Sequence, residues 1–301
     1  MTSADRFIRA YSRVCCGYSY AENADGVGIF SLPALARLPG IRHGFSARTG
    51  GISVGCLSSL NLSFSRGIEP REKTMENYRI FCAAAGIEEA SMVMDTYEHG
   101  VTVRRVDRSD RGAGYTRPPL PPCDALITDD PAVTLVTGHA DCMAFYVVDP
   151  VHRAVGLAHA GWRGALGGIG AALVARMEEG FGSNPAELVV GVGPSICPAC
   201  FEVGEDVAAR FERAFPAAAC CRPGGPGKAY VDLWRVAAAQ FFACGVRPER
   251  FNLMGVCTME DERLYSHRRD RGQTGGMAAY LGLVPTATAG GGAPATGTGG
   301  L

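Results

Sequence analysis

The sequence has no apolar run of the ~18–20 residues that a membrane-spanning helix needs, so no helical anchor is expected. Its opening stretch, MTSADRFIRAYSRVCCGYSY, lacks an apolar core ahead of a small-residue cleavage site, and no secretory leader is expected either. Net charge is nearly absent. The 29 Lys and Arg against 30 Asp and Glu leave −1, which gives no basic field for holding nucleic acid. No GxGxxG follows a strand candidate and no GxxxxGK[ST] occurs, so nucleotide cofactors of the usual kinds gain no support. The zinc nucleobase-deaminase signature, HxE followed by PCxxC, is also missing. No repeat of solenoid period is found. These absences leave a cytoplasmic globular protein with no nucleic-acid or membrane partner.

What is present fits that class. The 301 residues are 47% hydrophobic and 20% charged, enough for a substantial core in one large domain or two. Twelve cysteines spread over so long a chain read as small buried hydrophobes, with one or two ligands or nucleophiles among them. Residues 285–301, PTATAGGGAPATGTGGL, are low in complexity and predict a disordered tail. Strands are predicted at Val101–Val106, Ala125–Thr128, Val133–Thr137, Met143–Val148, Ala154–His159, Leu188–Gly191 and Leu253–Cys257. Helices are predicted at Lys73–Ala85, Leu166–Glu179, Val203–Phe215 and Asp232–Cys244, the last with Asp232 as N-cap and Gly245 as stop. Short strands dominate the middle and helices follow, which suggests a mixed α/β or α+β domain.

Reactive residues collect at the edges of the apolar strands. They are Tyr97-Glu98-His99-Gly100, His139-Ala140-Asp141-Cys142 and His159-Ala160-Gly161-Trp162-Arg163-Gly164. Cys142 precedes one strand, Asp149-Pro150 turns the chain, and His159 ends a strand of similar length. Antiparallel pairing would therefore set Cys142 beside His159. That pair can be a Cys–His nucleophile, half of a soft metal site, or a buried thiol beside a strand-end imidazole. His99, in a turn marked by Gly100, is a candidate third ligand, and a Cys with two His would leave the open position that catalytic zinc needs. Arg163, in a Gly-flanked turn opening a helix, and Arg48, in Arg48-Thr49-Gly50-Gly51, are candidate anion sites or surface ion pairs. Cys197-Pro198-Ala199-Cys200 lacks both the βαβ setting of a redox motif and a second CxxC, and reads as structural.

A longer constellation then becomes visible. It comprises HGFSARTGG (43–51), SSLNL (58–62), the turn at 97–100, CDALITDDPAVTLVTGHADC (123–142), HAGWRG (159–164), GVGPSICPACFEVG (191–204), YVDLW (230–234) and CTMEDERLYSHRRDRGQTGG (257–276). In this order it resembles the laccase-domain, or polyphenol-oxidase-like, family, whose members are also called purine nucleoside phosphorylases and peptidoglycan editing factors. The resemblance covers about residues 38–284 and implies a single α+β domain of four layers (α/β/β/α) with mixed sheets, similar to the catalytic domain of cytotoxic necrotising factor. Residues 1–37 then form a partly ordered N-terminal extension.

The resemblance implies His99, Cys142 and His159 as metal ligands, with zinc as the cofactor and copper as the alternative. Beside these ligands, the candidate groups are Arg163 as a catalytic residue and Arg48, Asn61, Glu98 and Asp141 as substrate-binding residues. The implied activity is phosphorolysis of adenosine, inosine, guanosine and S-methyl-5′-thioadenosine, with adenosine deamination, in a monomer; Glu98 and Asp141 are the candidate proton carriers for the deamination. A multicopper oxidase would want roughly ten histidines, and this chain has 6. Tyr97-Glu98 replaces the family's Gln-Val, His139 a Thr, His267 a Tyr and Gly276 an Arg. The family label keeps a copper-dependent polyphenol oxidase as an alternative, and two other readings remain. One is a metal-free Cys142–His159 amidase acting on cell-wall precursors; the other is a non-catalytic zinc protein with His139 or Glu98 as fourth ligand.

Overall fold

The computed structural model describes residues 2–64 and 67–284 of the chain; the predicted tail at 285–301 lies outside the described residues. Two large mixed sheets organise the molecule. The first has seven strands in the order Cys15–Cys16, Phe251–Leu253, Val189–Val192, Met143–Asp149, Ala154–Ala160, Ala125–Thr128 and Val103–Arg105. The second has six, in the order Ser19–Glu22, Gly28–Ser31, Ile41–Ser46, Met277–Leu283, Thr134–His139 and Met92–Met94. A ribbon of Glu202–Gly204, Lys228–Val231 and Cys221–Pro223 stands apart.

The central strands are apolar without alternation because both of their faces are covered. Every residue of Met143–Asp149 and of Ala154–Ala160 is buried. Successive side chains point to opposite faces. Phe145 and Val147 therefore enter a core shared with helices Ile169–Phe181 and Leu233–Ala243, while Ala144, Tyr146 and Val148 enter one shared with Phe45, Leu135 and Leu281 of the second sheet. Helix Ile169–Phe181 buries Ile169, Leu173, Val174 and Met177 on one face. Burying Leu173 alone stabilises by about 1.5–3 kcal/mol. The helix lies close to its strand because Gly156 has no side chain; a Cβ there would sit 2.9 Å from Leu173 Cδ1. The outer face of the second sheet carries Met94, Val136 and Tyr280 against Tyr78, Phe81 and Cys82 of helix Arg71–Ala85.

Asp232 caps its helix as predicted, accepting the Arg235 N–H at 2.9 Å. Other elements shift for local reasons. The predicted strand Leu253–Cys257 is instead Phe251–Leu253: Gly255 turns at φ +70°, and the chain leaves the sheet. The predicted helix Leu166–Glu179 is two helices, Trp162–Gly167 and Ile169–Phe181, broken at Gly168 with φ +91°. The helix predicted from Val203 starts at Glu205, because Glu202–Gly204 pairs with Lys228–Tyr230. Residues expected as an extension supply helix Ser3–Tyr11 and edge strands to both sheets. No helix among the described residues is long and apolar enough to cross a membrane.

Candidate metal centre and cleft

The register of the central hairpin pairs His159 with Ala144 and Ala160 with Met143. Cys142, immediately before Met143, therefore lies at the same sheet end as His159, as the strand lengths predicted. The chain reaches Cys142 through Asp141, which has a left-handed φ of +85°. Three contacts hold that turn. Thr258 Oγ1 donates to Asp141 Oδ1 at 2.6 Å, Arg268 N–H to Oδ2 at 2.7 Å, and Ile196 N–H to the Asp141 carbonyl at 3.0 Å.

His99 arrives from a separate turn and also has a left-handed φ, +63°. Buried Asp124 shapes that turn. Its Oδ1 accepts the N–H groups of Glu98 (3.0 Å) and Gly100 (2.8 Å), and its Oδ2 that of Thr102 (3.2 Å). The Asp124 carbonyl accepts the His159 N–H at 2.8 Å, so one residue positions both imidazoles.

Ligand atoms of His99, Cys142 and His159 all lie within 4.8 Å of one another. Gly161 leaves room for them. A Cβ there would stand 3.0 Å from His99 Cδ2, 3.3 Å from Cys142 Sγ and 3.5 Å from His159 Cε1. The Tyr97 ring stacks on His159 with centroids 3.9 Å apart. Burial, then the charges of His139 and His99, hold the His159 proton affinity well below the usual imidazole range. Burial, then the Arg163 guanidinium, lowers that of His99. Both rings are thus neutral at neutral pH, the form that ligates a metal. The buried Nδ1 of His159 has no hydrogen-bond partner among the described residues. A thiol, two neutral imidazoles and an uncompensated ring nitrogen around one point fit a borderline-soft dication.

His139 is spent differently. Its Nδ1 lies 3.1 Å from the Cys142 carbonyl, which can only accept, so Nδ1 carries the proton. Its Nε2 then accepts from Thr137 Oγ1 at 2.7 Å. Both nitrogens are engaged, and His139 is not a fourth ligand.

The three residues sit in the wall of a cleft of about 900 Å³, a size typical of small-molecule sites. Asp141, Arg163, His139, His267, Trp162, Phe201 and Arg268 also line it. Arg163 lies over the Trp162 ring at 4.4 Å and forms no ion pair with a described residue. Its helix, Trp162–Gly167, is only 6 residues long, so the positive charge at this wall of the cleft is that of the guanidinium and not of a helix terminus.

Three predicted substrate groups do not line the cleft. Glu98 is exposed, and its backbone rather than its carboxylate is tied into the turn. Arg48 donates from Nε to the Ser58 carbonyl at 2.8 Å and covers the Tyr265 ring. Asn61 is buried, donating to Glu69 at 2.7 Å and accepting the Gly276 N–H at 3.0 Å. Sequence reasoning missed Asp124, whose only signal was a carboxylate opening an apolar strand. It also passed over Trp162, Phe201 and Arg268 as cleft residues.

A family model described as multi-copper polyphenol oxidoreductase laccase matches residues 42–284. Purine nucleoside phosphorylase YlmD of Geobacillus stearothermophilus is 34% identical over 244 residues, covering 79% of this chain and 89% of its own. A purine nucleoside phosphorylase of Deinococcus radiodurans is 35% identical over 260 residues, covering 86% and 94%. The crystal structure of YlmD from Geobacillus stearothermophilus matches with a TM-score of 0.82 at 32% identity, covering 88% of this chain and 99% of that one. With a match this long and relatives this similar, the chain belongs to the multi-copper polyphenol oxidoreductase laccase family.

Proposed function

We propose that this chain is a purine nucleoside phosphorylase whose zinc ion is held by His99, Cys142 and His159. Adenosine, inosine, guanosine and S-methyl-5′-thioadenosine are its substrates, and adenosine deamination is its second activity. The observation that carries the reading is one thiol and two neutral imidazoles converging at the wall of a roomy cleft, beside a guanidinium without an acidic partner among the described residues. The names of the relatives point to the same reaction. When bound, the metal supplies Lewis-acid polarisation of a substrate oxygen or of water.

The chain's own residues do the rest. Arg163 draws phosphate into the cleft and offsets its charge as phosphate attacks C1′ and the purine leaves. The Trp162 and Phe201 rings offer apolar faces to the base. Of the two proton carriers considered for deamination, Asp141 lines the cleft and Glu98 does not, so that activity falls to Asp141. Zinc is favoured over a set of copper centres because His43 accepts the Leu32 N–H and His152 is paired with Asp149, which leaves too few imidazoles. The three cores between helices, sheet, sheet and helix support the α/β/β/α order and, with it, the likeness to cytotoxic necrotising factor. The proposal includes a monomeric cytoplasmic enzyme, its domain at residues 38–284.

The test is release of base and ribose 1-phosphate by metal-quantified protein, with and without phosphate. Phosphate-dependent release should fall to background in Cys142→Ala, together with the loss of one zinc per chain. Full turnover in that variant would refute the proposal. The proximity of Cys142 to His159 also favours a metal-free thiol nucleophile acting on an amide. His99→Ala separates the two readings, since it ruins a zinc site and spares a Cys–His pair.

A further inference from the structure

A second group of metal-ligating side chains lies outside the cleft. Ligand atoms of Cys197, Cys200, Cys257 and Glu260 all lie within 4.8 Å of one another, and none of the four lines the cleft. They come from two turns of the same form, Cys-Pro-Ala-Cys and Cys-Thr-Met-Glu. Each is closed by a backbone bond from the residue that follows it, Phe201 N–H to the Cys197 carbonyl at 3.0 Å and Asp261 N–H to the Cys257 carbonyl at 2.9 Å. The two turns are fastened together. Ser195 and Cys257 form a bridge, with Ser195 N–H donating to the Val256 carbonyl and Thr258 N–H to the Ser195 carbonyl, both at 3.1 Å.

We propose that Cys197, Cys200, Cys257 and Glu260 form a structural zinc site separate from the cleft. Zinc takes tetrahedral sets of thiolate and carboxylate, and a closed four-ligand set is the structural form. The group is pre-organised for this. The thiols of Cys200 and Cys197 lie 3.3 and 3.7 Å from Glu260 Oε1, and the Cys197 N–H lies 3.4 Å from Cys257 Sγ. Metal binding releases the protons of the three thiols and leaves a net charge of about −2 on the cluster, from +2, three thiolates and one carboxylate. Arg268 and Arg222 stand close enough to offset it, donating to the carbonyls of Glu202 and Pro198. A Cys197–Cys200 disulfide would use two sulfurs and leave the convergence of Cys257 and Glu260 without a cause. Ile196 and Thr258, next to two of the ligands, both grip Asp141. The metal thus braces the turn that presents Cys142. The inference stands on this cluster alone and does not depend on the reaction in the cleft.

The test uses full-length Cys142→Ala protein, reduced, stripped with a chelator, and titrated with zinc chloride or cobalt chloride. One zinc per chain, a thiolate-to-cobalt absorption band and a rise in Tm on adding metal are expected. Adding Cys197→Ser and Cys200→Ser should abolish all three. Glu260→Gln, at an exposed position, should weaken zinc affinity by roughly tenfold or more and leave the Tm of the metal-free protein unchanged; it serves equally in the wild-type background if the cysteine variants fold poorly. Failure of the reduced Cys142→Ala protein to hold zinc would overturn the proposal. So would zinc retained without Cys197 and Cys200, or a Cys197–Cys200 disulfide in protein purified without reductant.

Discussion

Gly161 is where a single atom decides the metal centre. Its φ of −67° and ψ of 166° are open to any residue, so Gly161→Ala carries no backbone strain and tests space alone. The added methyl would press on His99 and Cys142 at contacts tighter than side chains ordinarily make. Zinc affinity should fall by roughly 10–100-fold, with Tm in the metal-free state changed little; isothermal titration of stripped protein measures the first and a thermal unfolding scan the second, each against wild type. Retained affinity would mean that His99 moves aside without cost. At this scale the sequence was informative wherever regular structure fixed direction. Cys142 and His159 were legible as neighbours because two strands of similar length join through a short turn. His99 was reached through its chemistry and through the family resemblance of its turn, since nothing in its spacing fixes where a loop histidine points. The same blindness explains Arg48, Asn61 and Glu98. All three lie outside regular elements, where a side chain's direction follows from tertiary contacts such as the Tyr265 ring or the Glu69 carboxylate.

The turn at 98–102 depends on Asp124 in the way a helix depends on its cap. Asp124→Asn replaces one acceptor oxygen with an amide that faces the Thr102 N–H and removes the charge from the other bonds. A loss of about 2 kcal/mol of stability is expected, from the weight of hydrogen bonds to ionised groups. The metal affinity should fall with it, because His99 loses its support. Denaturant unfolding of the stripped protein reads the first effect and metal titration the second; a variant as stable as wild type would show that the turn is held by something else. Among whole elements, the strands at 125–128, 143–149 and 154–160 were legible because short, mostly apolar runs lie between turn residues. Met277–Leu283 was not. It reads MAAYLGL, weak in strand formers, and it forms because Gly44 lets Tyr280 lie across the neighbouring strand, where a Cβ would stand 2.7 Å from the ring. Helix Ser3–Tyr11 had a readable signal, the Thr2 and Asp5 capping box, in a stretch whose apolar residues are few.

Across the whole molecule, buried imidazoles set the response to acid. Burial lowers the pKa of His43 from 6.5 to about 4 and that of His139 to about 3. His159 and His99 move in the same direction. Each ring is neutral in the folded protein, while the unfolded chain takes up its proton near pH 6.5. Between that pH and the folded values the unfolded state therefore binds more protons, and stability falls as the pH is lowered. The contribution is fully present above pH 6.5, and by pH 5 about 2 kcal/mol is lost for each of His43 and His139. His43 allows a clean test, since its Nε2 does no more than accept the Leu32 N–H at 2.9 Å and edge against Tyr146. His43→Gln keeps an acceptor within reach of that N–H and cannot titrate. Denaturant unfolding of the metal-free protein at several pH values from 7 to 5 should show a slope shallower than that of wild type by about 1.4 kcal/mol per pH unit below pH 6. An unchanged slope would mean that His43 gains its proton in the folded state, and that the core between the two sheets admits a charge at its edge.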